Sequence, residues 1–272
     1  MLGKSYKNRG RISLCAVFSF AVLLAVAPAC GKKGGGGGQT GPTLGVNAWI
    51  VAIDDYQGEN DPNFTAIINE FKRLFGKTDI NIGEIVVREL TGPTASRLSF
   101  IDLYDDPNNN GLPDDMEELF EMSSGAGKQY LNIFFVNAIF PLGVIGLSSS
   151  INGPAENGTA KSGVLINTLG GFRNLSKADQ NEQAETMIHE AGHYLGLYHT
   201  TEKNGHDFDP FADTPECNAD ENDKNLDGAV SAGECEPLDG PNLMFWQAAR
   251  YVQETMSPMQ NQEMIKHPLI RQ

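Results

Sequence analysis

The chain of 272 residues is poor in basic side chains, with 20 Lys and Arg against 35 Asp and Glu and a formal net charge of −15. Proteins that bind nucleic acids present a basic surface to the phosphates, so this balance excludes that class of partner. The apolar run at residues 12–27 is shorter than the roughly 20 residues that a membrane-spanning helix needs. With 40% hydrophobic residues, the composition indicates a globular protein.

Residues 1–29 have the order of a secretory signal peptide: a basic start, an apolar stretch and small residues before Cys30. A cysteine in that place resembles the lipobox of bacterial lipoproteins, which implies lipidation of Cys30. Residues 30–43 include a run of five glycines and predict a flexible tether. We therefore expect an exported lipoprotein that is anchored to the bacterial envelope and contacts the membrane only through its lipid. Plain secretion and an uncleaved membrane anchor are the alternatives.

Cysteine is scarce, with four residues in the chain. Cys15 lies in the predicted signal peptide and Cys30 is the expected lipid site, which leaves Cys217 and Cys235. Two thiols in an exported chain predict one disulfide between them. Two free thiols are the alternative.

Residues 44–272 alternate strand and helix patterns. Phe64, Ile67, Ile68, Phe71 and Phe75 recur at three- and four-residue steps, which predicts an amphipathic helix that ends at Gly76. Apolar segments at 46–53, 83–90, 131–139, 143–147 and 163–168 predict strands. Strands interleaved with helices favour an α/β fold, a mixed sheet with its helices packed on it.

The chemistry concentrates in the motif His189-Glu190-x-x-His193-x-x-Gly196-x-x-His199. On a helix that begins at Ser176, His189 and His193 lie one turn apart and can both reach one zinc ion. Gly196 can adopt a positive φ, end the helix and return His199 as a third ligand. Three neutral ligands leave a coordination position open for water, as in catalytic zinc sites. Glu190 stands next to the first ligand and could take a proton from that water.

This motif resembles that of the metzincin metallopeptidases, and three further segments are similar to the pappalysin (cytophagalysin) family. These are Asp213-Thr214-Pro215, Asn242-Leu243-Met244-Phe245-Trp246 and the tail segment 256–260. The resemblance implies a zincin-like fold with one catalytic zinc on the three histidines, Glu190 as general base and acid, and Met244 in a Met-turn. The family commonly has Tyr where this chain has Trp246, whose indole offers one neutral N–H donor.

Two acidic segments match the twelve-residue calcium loop, in which alternate oxygens surround one cation and a Gly at the sixth place permits a sharp turn. Loop 1 spans residues 106–117, with the candidate ligands Asp106, Asn108, Asn110, Leu112, Asp114 and Glu117. Loop 2 spans residues 223–234, with the candidate ligands Asp223, Asn225, Asp227, Ala229, Ser231 and Glu234. The spacing predicts one or two structural calcium ions in insertions near 102–122 and 217–235. A solvated acidic turn is the alternative for each loop.

The expected function is that of a monomeric zinc-dependent endopeptidase whose catalytic domain is residues 44–272. Its substrate would be a protein or peptide that lies extended along an edge strand at residues 143–150, as the resemblance implies. Two other classes stay open: a surface-binding protein with an inert zinc site, and a structural lipoprotein whose calcium loops mediate adhesion. Glu190 favours the enzyme, because a pure binding protein needs no base beside its metal.

Overall fold

The computed structural model describes residues 41–247 and 253–272. The predicted signal peptide, the lipid site Cys30 and most of the tether lie outside the described residues. Within the described ranges, none of the helices combines the length and the apolar character that crossing a bilayer requires.

Parallel strands make up most of the main sheet, whose order is β2-β1-β4-β7-β6, with the short β8 also paired to β1. Strand β6 is antiparallel to β7 and forms one edge of the sheet, and β3 and β5 form a separate parallel pair. The strands are β1 Thr43–Val51, β2 Asn81–Leu90, β3 Phe100–Asp102, β4 Leu131–Val136, β5 Ala138–Phe140, β6 Gly146–Ser148, β7 Val164–Asn167 and β8 Ile270–Arg271. The helices are α1 Pro62–Phe75, α2 Pro93–Leu98, α3 Asp114–Glu121, α4 Lys177–Tyr194, α5 Ala219–Asn222 and α6 Pro258–Ile265, with a 3₁₀ helix at Met122–Ala126. The predicted mixed α/β sheet is confirmed.

Side chains along a strand alternate between the two faces of the sheet, and helices cover both faces of this one, so each face lies in its own hydrophobic core. Ile133 and Phe135 of β4 lie in the core that the sheet forms with α1 and α4. Phe134 and Val136 face the opposite way, into a second core with α2 and α3. Helix α4, which carries the histidine motif, therefore lies on the opposite face of the sheet from α3 and loop 1.

Side-chain caps fix where the two long helices begin. The Asp61 carboxylate accepts hydrogen bonds from the backbone N–H groups of Asn63 and Phe64 at the start of α1. Ser176 and Asp179 form a capping box at the start of α4. The predicted helix start at Ser176 and the predicted end of α1 before Gly76 agree with the structure.

The predicted strand at 131–139 is wrong in one respect, because the chain leaves the main sheet at Asn137. Its side-chain Nδ2 donates to the Ala52 carbonyl at 3.0 Å and to Ser99 Oγ at 3.1 Å. The apolar pattern continues through this break, but residues 138–140 pair with β3 instead of the main sheet. The predicted strand at 143–147 is also displaced, since β6 comprises residues 146–148.

Candidate active site

Three histidines meet on the face of the sheet that α4 covers. His189 and His193 lie one turn apart near the end of α4. Gly196 has a φ of +108°, a conformation that favours glycine, and it turns the chain so that His199 comes back toward the helix. The Nε2 atoms of the three rings lie 3.1 to 3.2 Å from one another. One ion could therefore reach all three at the zinc–nitrogen distance of about 2.0–2.1 Å.

The outer ring nitrogens show how each imidazole is oriented. His189 Nδ1 lies 2.7 Å from the carbonyl oxygen of Leu243, and His193 Nδ1 lies 2.8 Å from that of Leu197. A carbonyl oxygen can only accept, so each Nδ1 donates its hydrogen and each Nε2 keeps a lone pair. His199 Nδ1 lies 2.9 Å from Glu202 Oε1, which favours the same tautomer. Three lone pairs that face one another repel, and a cation between them would remove this repulsion.

Burial keeps the two helical histidines neutral. Desolvation lowers the pKa of His189 well below its usual value, and the neighbouring His193 and His199 lower it further. Desolvation followed by repulsion from His199 lowers the pKa of His193 to about 4. Neutral imidazole is the form that binds metal ions, so this set of donors fits a zinc ion.

Glu190 lies in the same cleft as the histidines. The cleft has a volume of about 620 Å³, and its walls include β6, the three imidazoles, Trp246 and Gln247. Burial raises the pKa of the Glu190 carboxyl to about 8, while a backbone hydrogen bond from Ser148 opposes the shift. The raised pKa makes this carboxylate a stronger proton acceptor than a solvated glutamate.

The segment that contains Met244 makes hydrogen bonds to the first histidine and to Thr200, the residue after the third histidine. The Leu243 carbonyl accepts from His189, and the Met244 carbonyl accepts from the N–H of Thr200 at 2.9 Å. The Met244 side chain is fully buried below α4, where a Cβ on Gly192 would collide with its sulfur. Met244 therefore packs against α4, and its assignment to a Met-turn stays a prediction.

Trp246 lines the cleft, but its N–H is already used. Nε1 donates to the Val230 carbonyl at 2.6 Å, within loop 2. The indole thus fastens this wall of the cleft to the segment 217–235 and has no donor left for a substrate oxygen.

The disulfide between Cys217 and Cys235 is confirmed, with the two Cα atoms 5.7 Å apart. The bridge is buried in a small cluster with Val230, Ala232 and Phe245.

The candidate calcium ligands face one another within each loop. In loop 1, Asn108 Nδ2 donates to Asp114 Oδ1 at 2.9 Å, and Asn110 Nδ2 donates to Glu117 Oε1 at 2.8 Å. The Asp106 carboxylate accepts from backbone N–H groups of its own loop.

In loop 2, Asp223 likewise accepts from the N–H groups of Asp227 and Gly228, and Glu234 accepts from Ser231. Calcium coordination by either loop stays a prediction.

Several residues around the site were not predicted from the sequence. Glu202, three residues after the last histidine, is the hydrogen-bond partner of His199, and its spacing could have suggested it. Gly146 of β6 lies so close to α4 that a Cβ there would be 2.5 Å from Thr186 Cγ2 and 2.9 Å from Glu190 Oε1. His267 is buried, and its Nε2 lies 2.9 Å from the Gly153 carbonyl. Only its position in the fold reveals this contact.

The comparison with protein families agrees with this site. The sequence pattern of the peptidase family described as pregnancy-associated plasma protein-A matches residues 118–263, more than half of the chain. No curated protein matches the chain. Similar solved structures include mirolysin in complex with compound 9, with 16% identity and a TM-score of 0.49 over 82% of this chain and 90% of mirolysin. Another is archaemetzincin from Methanopyrus kandleri, with 13% identity and a TM-score of 0.37 over 59% of this chain and 78% of that one. The chain belongs to the pregnancy-associated plasma protein-A family of zinc peptidases, the pappalysins.

Proposed function

We propose that the protein is a zinc-dependent endopeptidase that hydrolyses peptide bonds of extracellular or envelope proteins. His189, His193 and His199 would hold the zinc ion. The observation that supports this proposal is the convergence of their three Nε2 atoms within 3.2 Å, with Glu190 in the same cleft. Zinc bound there would supply a Lewis acid for water and for the substrate carbonyl, and its charge would favour the ionised form of Glu190.

Glu190 would move the proton in the reaction. Its carboxylate takes a proton from the attacking water and then gives it to the leaving amine. Desolvation keeps the carboxylate basic enough for the first step, and the transferred proton is then available for the second.

The substrate would lie extended along β6. This strand is one edge of the main sheet and forms a wall of the cleft, so its outer side can pair with an extended peptide.

The test of the peptidase proposal is casein digestion by the wild type and by Glu190→Gln, each with the same zinc content. We expect the substitution to reduce the rate by at least about 100-fold, because general acid-base catalysis contributes about 10²–10⁴-fold. Glu121→Gln on α3 makes the same chemical change at an exposed site and should keep full activity. Equal digestion by the wild type and Glu190→Gln would refute the proposal.

We propose that loops 1 and 2 each bind one structural calcium ion through the twelve-residue ligand pattern. Calcium that binds only the folded protein raises its melting temperature. Addition of a calcium-selective chelator should therefore lower the melting temperature, and an unchanged value would count against both loops.

We propose that the protein is exported and anchored through a lipid on Cys30, as the order of residues 1–30 suggests. Cys30→Ala should move the protein from the membrane fraction to the soluble fraction. Equal distribution of both forms would contradict the anchor.

A further inference from the structure

We infer that Glu202 is a positioning residue for the zinc site: its carboxylate orients the His199 ring and thereby sets how tightly the three histidines hold the metal. The contact that carries this inference is the distance of 2.9 Å between Glu202 Oε1 and His199 Nδ1. The inference rests on the proposed zinc peptidase function, and it adds a residue outside the sequence motif on which zinc affinity depends.

The fold constrains His199 less than the other two ligands. His189 and His193 are buried side chains of helix α4, and backbone carbonyls accept from their outer ring nitrogens. His199 follows the turn at Gly196, lies outside the helices, and its side chain is 23% exposed. Within the described ranges, Glu202 is the only residue besides the two histidines that hydrogen-bonds its ring.

The carboxylate keeps the His199 ring in the form that binds a metal. An ionised carboxylate can only accept, so Nδ1 donates its hydrogen and Nε2 keeps a lone pair. That lone pair faces the Nε2 atoms of His193 and His189, at 3.1 and 3.2 Å. Without this partner the ring could turn away, or could carry its hydrogen on Nε2 and lose the lone pair. A carboxylate on the outer nitrogen also makes an imidazole a more basic ligand.

The backbone around Glu202 is fixed by a short turn. The Glu202 N–H donates to the Asp207 carbonyl at 2.9 Å, and the Glu202 carbonyl accepts from the Gly205 N–H at 2.8 Å. Loop 2 holds the same turn, because the Val230 N–H donates to the Lys203 carbonyl at 3.0 Å. The Glu202 side chain therefore reaches His199 from a backbone that is already held in place.

The contact should affect zinc binding far more than folding. The Glu202 side chain is 46% exposed, and exposed pairs of this kind contribute little to the free energy of unfolding. Loss of the carboxylate should therefore weaken zinc binding without changing the melting temperature of the metal-free protein. This difference separates a positioning residue from one that only stabilises the turn.

The test is the zinc dissociation constant of the purified protein, stripped of metal and titrated in competition with a fluorescent zinc chelator. Glu202→Leu removes the acceptor and keeps a side chain of similar size. We expect it to raise the dissociation constant about 10–100-fold, the usual effect of losing such a partner. Glu202→Gln keeps a neutral acceptor and should raise the constant about fivefold, because hydrogen bonds to ionised groups are stronger than those to neutral groups.

Glu216→Leu is the matched control, since it removes the carboxylate of another exposed glutamate. It should bind zinc as tightly as the wild type. The metal-free forms of all variants should melt at the wild-type temperature in differential scanning calorimetry. If Glu202→Leu does not fold, Glu202→Gln decides the question alone.

A Glu202→Gln protein with wild-type zinc affinity would overturn the inference. An equal loss of affinity in Glu216→Leu would also overturn it, because net charge and not the contact with His199 would then be responsible. The wild type separates this failure from failure of the proposed function. A wild type that binds zinc no more tightly than the Glu202 variants refutes only the role of Glu202, whereas a folded wild type that binds no zinc refutes the zinc peptidase itself.

Discussion

Single residues decide how closely the edge strand approaches the catalytic helix. Gly146 brings β6 against Thr186 and Glu190 of α4, and Gly192 leaves room for the Met244 sulfur below the same helix. At both positions a methyl group would collide with a neighbour that contributes to the site.

Gly146→Ala should reduce kcat/KM for a peptide substrate by about tenfold or more. The new Cβ would lie 2.5 to 2.9 Å from Thr186 and Glu190, so either strand β6 or the Glu190 carboxylate must move. A small displacement of a catalytic group or of the bound substrate reduces the reaction rate strongly. Zinc content should not change. Gly125→Ala is the control, since a Cβ there meets nothing within 4 Å. Equal kinetics of the two variants would contradict this role of Gly146.

Glu185 makes stability depend on pH. Burial raises the pKa of this carboxyl to about 8, repulsion by Glu182 and Glu70 adds to the shift, and Arg73 opposes it. Between about pH 5 and pH 8 the folded state therefore holds a proton that the unfolded state has lost. The unfolding free energy consequently falls as the pH rises through this range.

Glu185→Gln should remove this loss of stability. The melting temperature of the variant relative to the wild type should be higher at pH 8 than at pH 5, which differential scanning calorimetry can measure. Glu121→Gln, an exposed change of the same kind, should show no such trend. A difference that is the same at both pH values would disprove the assignment to Glu185.

Residue spacing in the sequence was enough to predict the three histidines, Glu190 and Gly196, because all of them belong to one helix and the turn after it. It could not predict the carbonyl of Leu243 as partner of His189. That contact joins residues 54 positions apart, and only the packing of the Met244 segment against α4 creates it.

At the scale of elements, the segment between the two cysteines supports a wall of the cleft. Val230 accepts from Trp246 Nε1, and its own N–H donates to the Lys203 carbonyl at 3.0 Å. The N–H of Ala232 donates to Gln247 Oε1 at 3.1 Å. Trp246 and Gln247 both line the cleft, so these hydrogen bonds from the segment hold two residues of the cleft wall in place.

The double variant Cys217→Ala/Cys235→Ala should lower the unfolding free energy by about 3 kcal/mol, because the bridge closes a loop between residues 18 apart. Urea denaturation of the variant and the oxidised wild type measures this difference. KM for peptides should also rise, because Trp246, which lines the cleft, would be held less firmly by Val230. A change below about 0.5 kcal/mol would show that the bridge contributes little.

Prediction of elements succeeded where the signal is local and failed where it is not. The apolar steps of α1 and the capping box of α4 lie within a few residues of each other, and both helices agree with the structure. The break between β4 and β5 depends on Asn137, which contacts Ala52 and Ser99 far away in the chain. No local pattern carries that information.

At the scale of the whole molecule, the main sheet separates the histidine site from a second hydrophobic core. The histidines lie on the side of the sheet that α4 covers, and the edge strand β6 forms the wall along which we propose that the substrate lies. The opposite face holds α2, α3 and loop 1 in a second core. Strand order was not predicted from the sequence, because pairing of β1 with β4 joins segments about 85 residues apart.

The most direct test of the account is the zinc content of the purified protein, measured by inductively coupled plasma mass spectrometry. The account predicts one zinc ion per chain in the wild type and in Glu190→Gln. His199→Ala removes the most exposed of the three ligands and should lose the zinc while the protein stays folded. A folded wild type without zinc, or His199→Ala with undiminished zinc, would contradict the claim that three imidazoles hold a single ion.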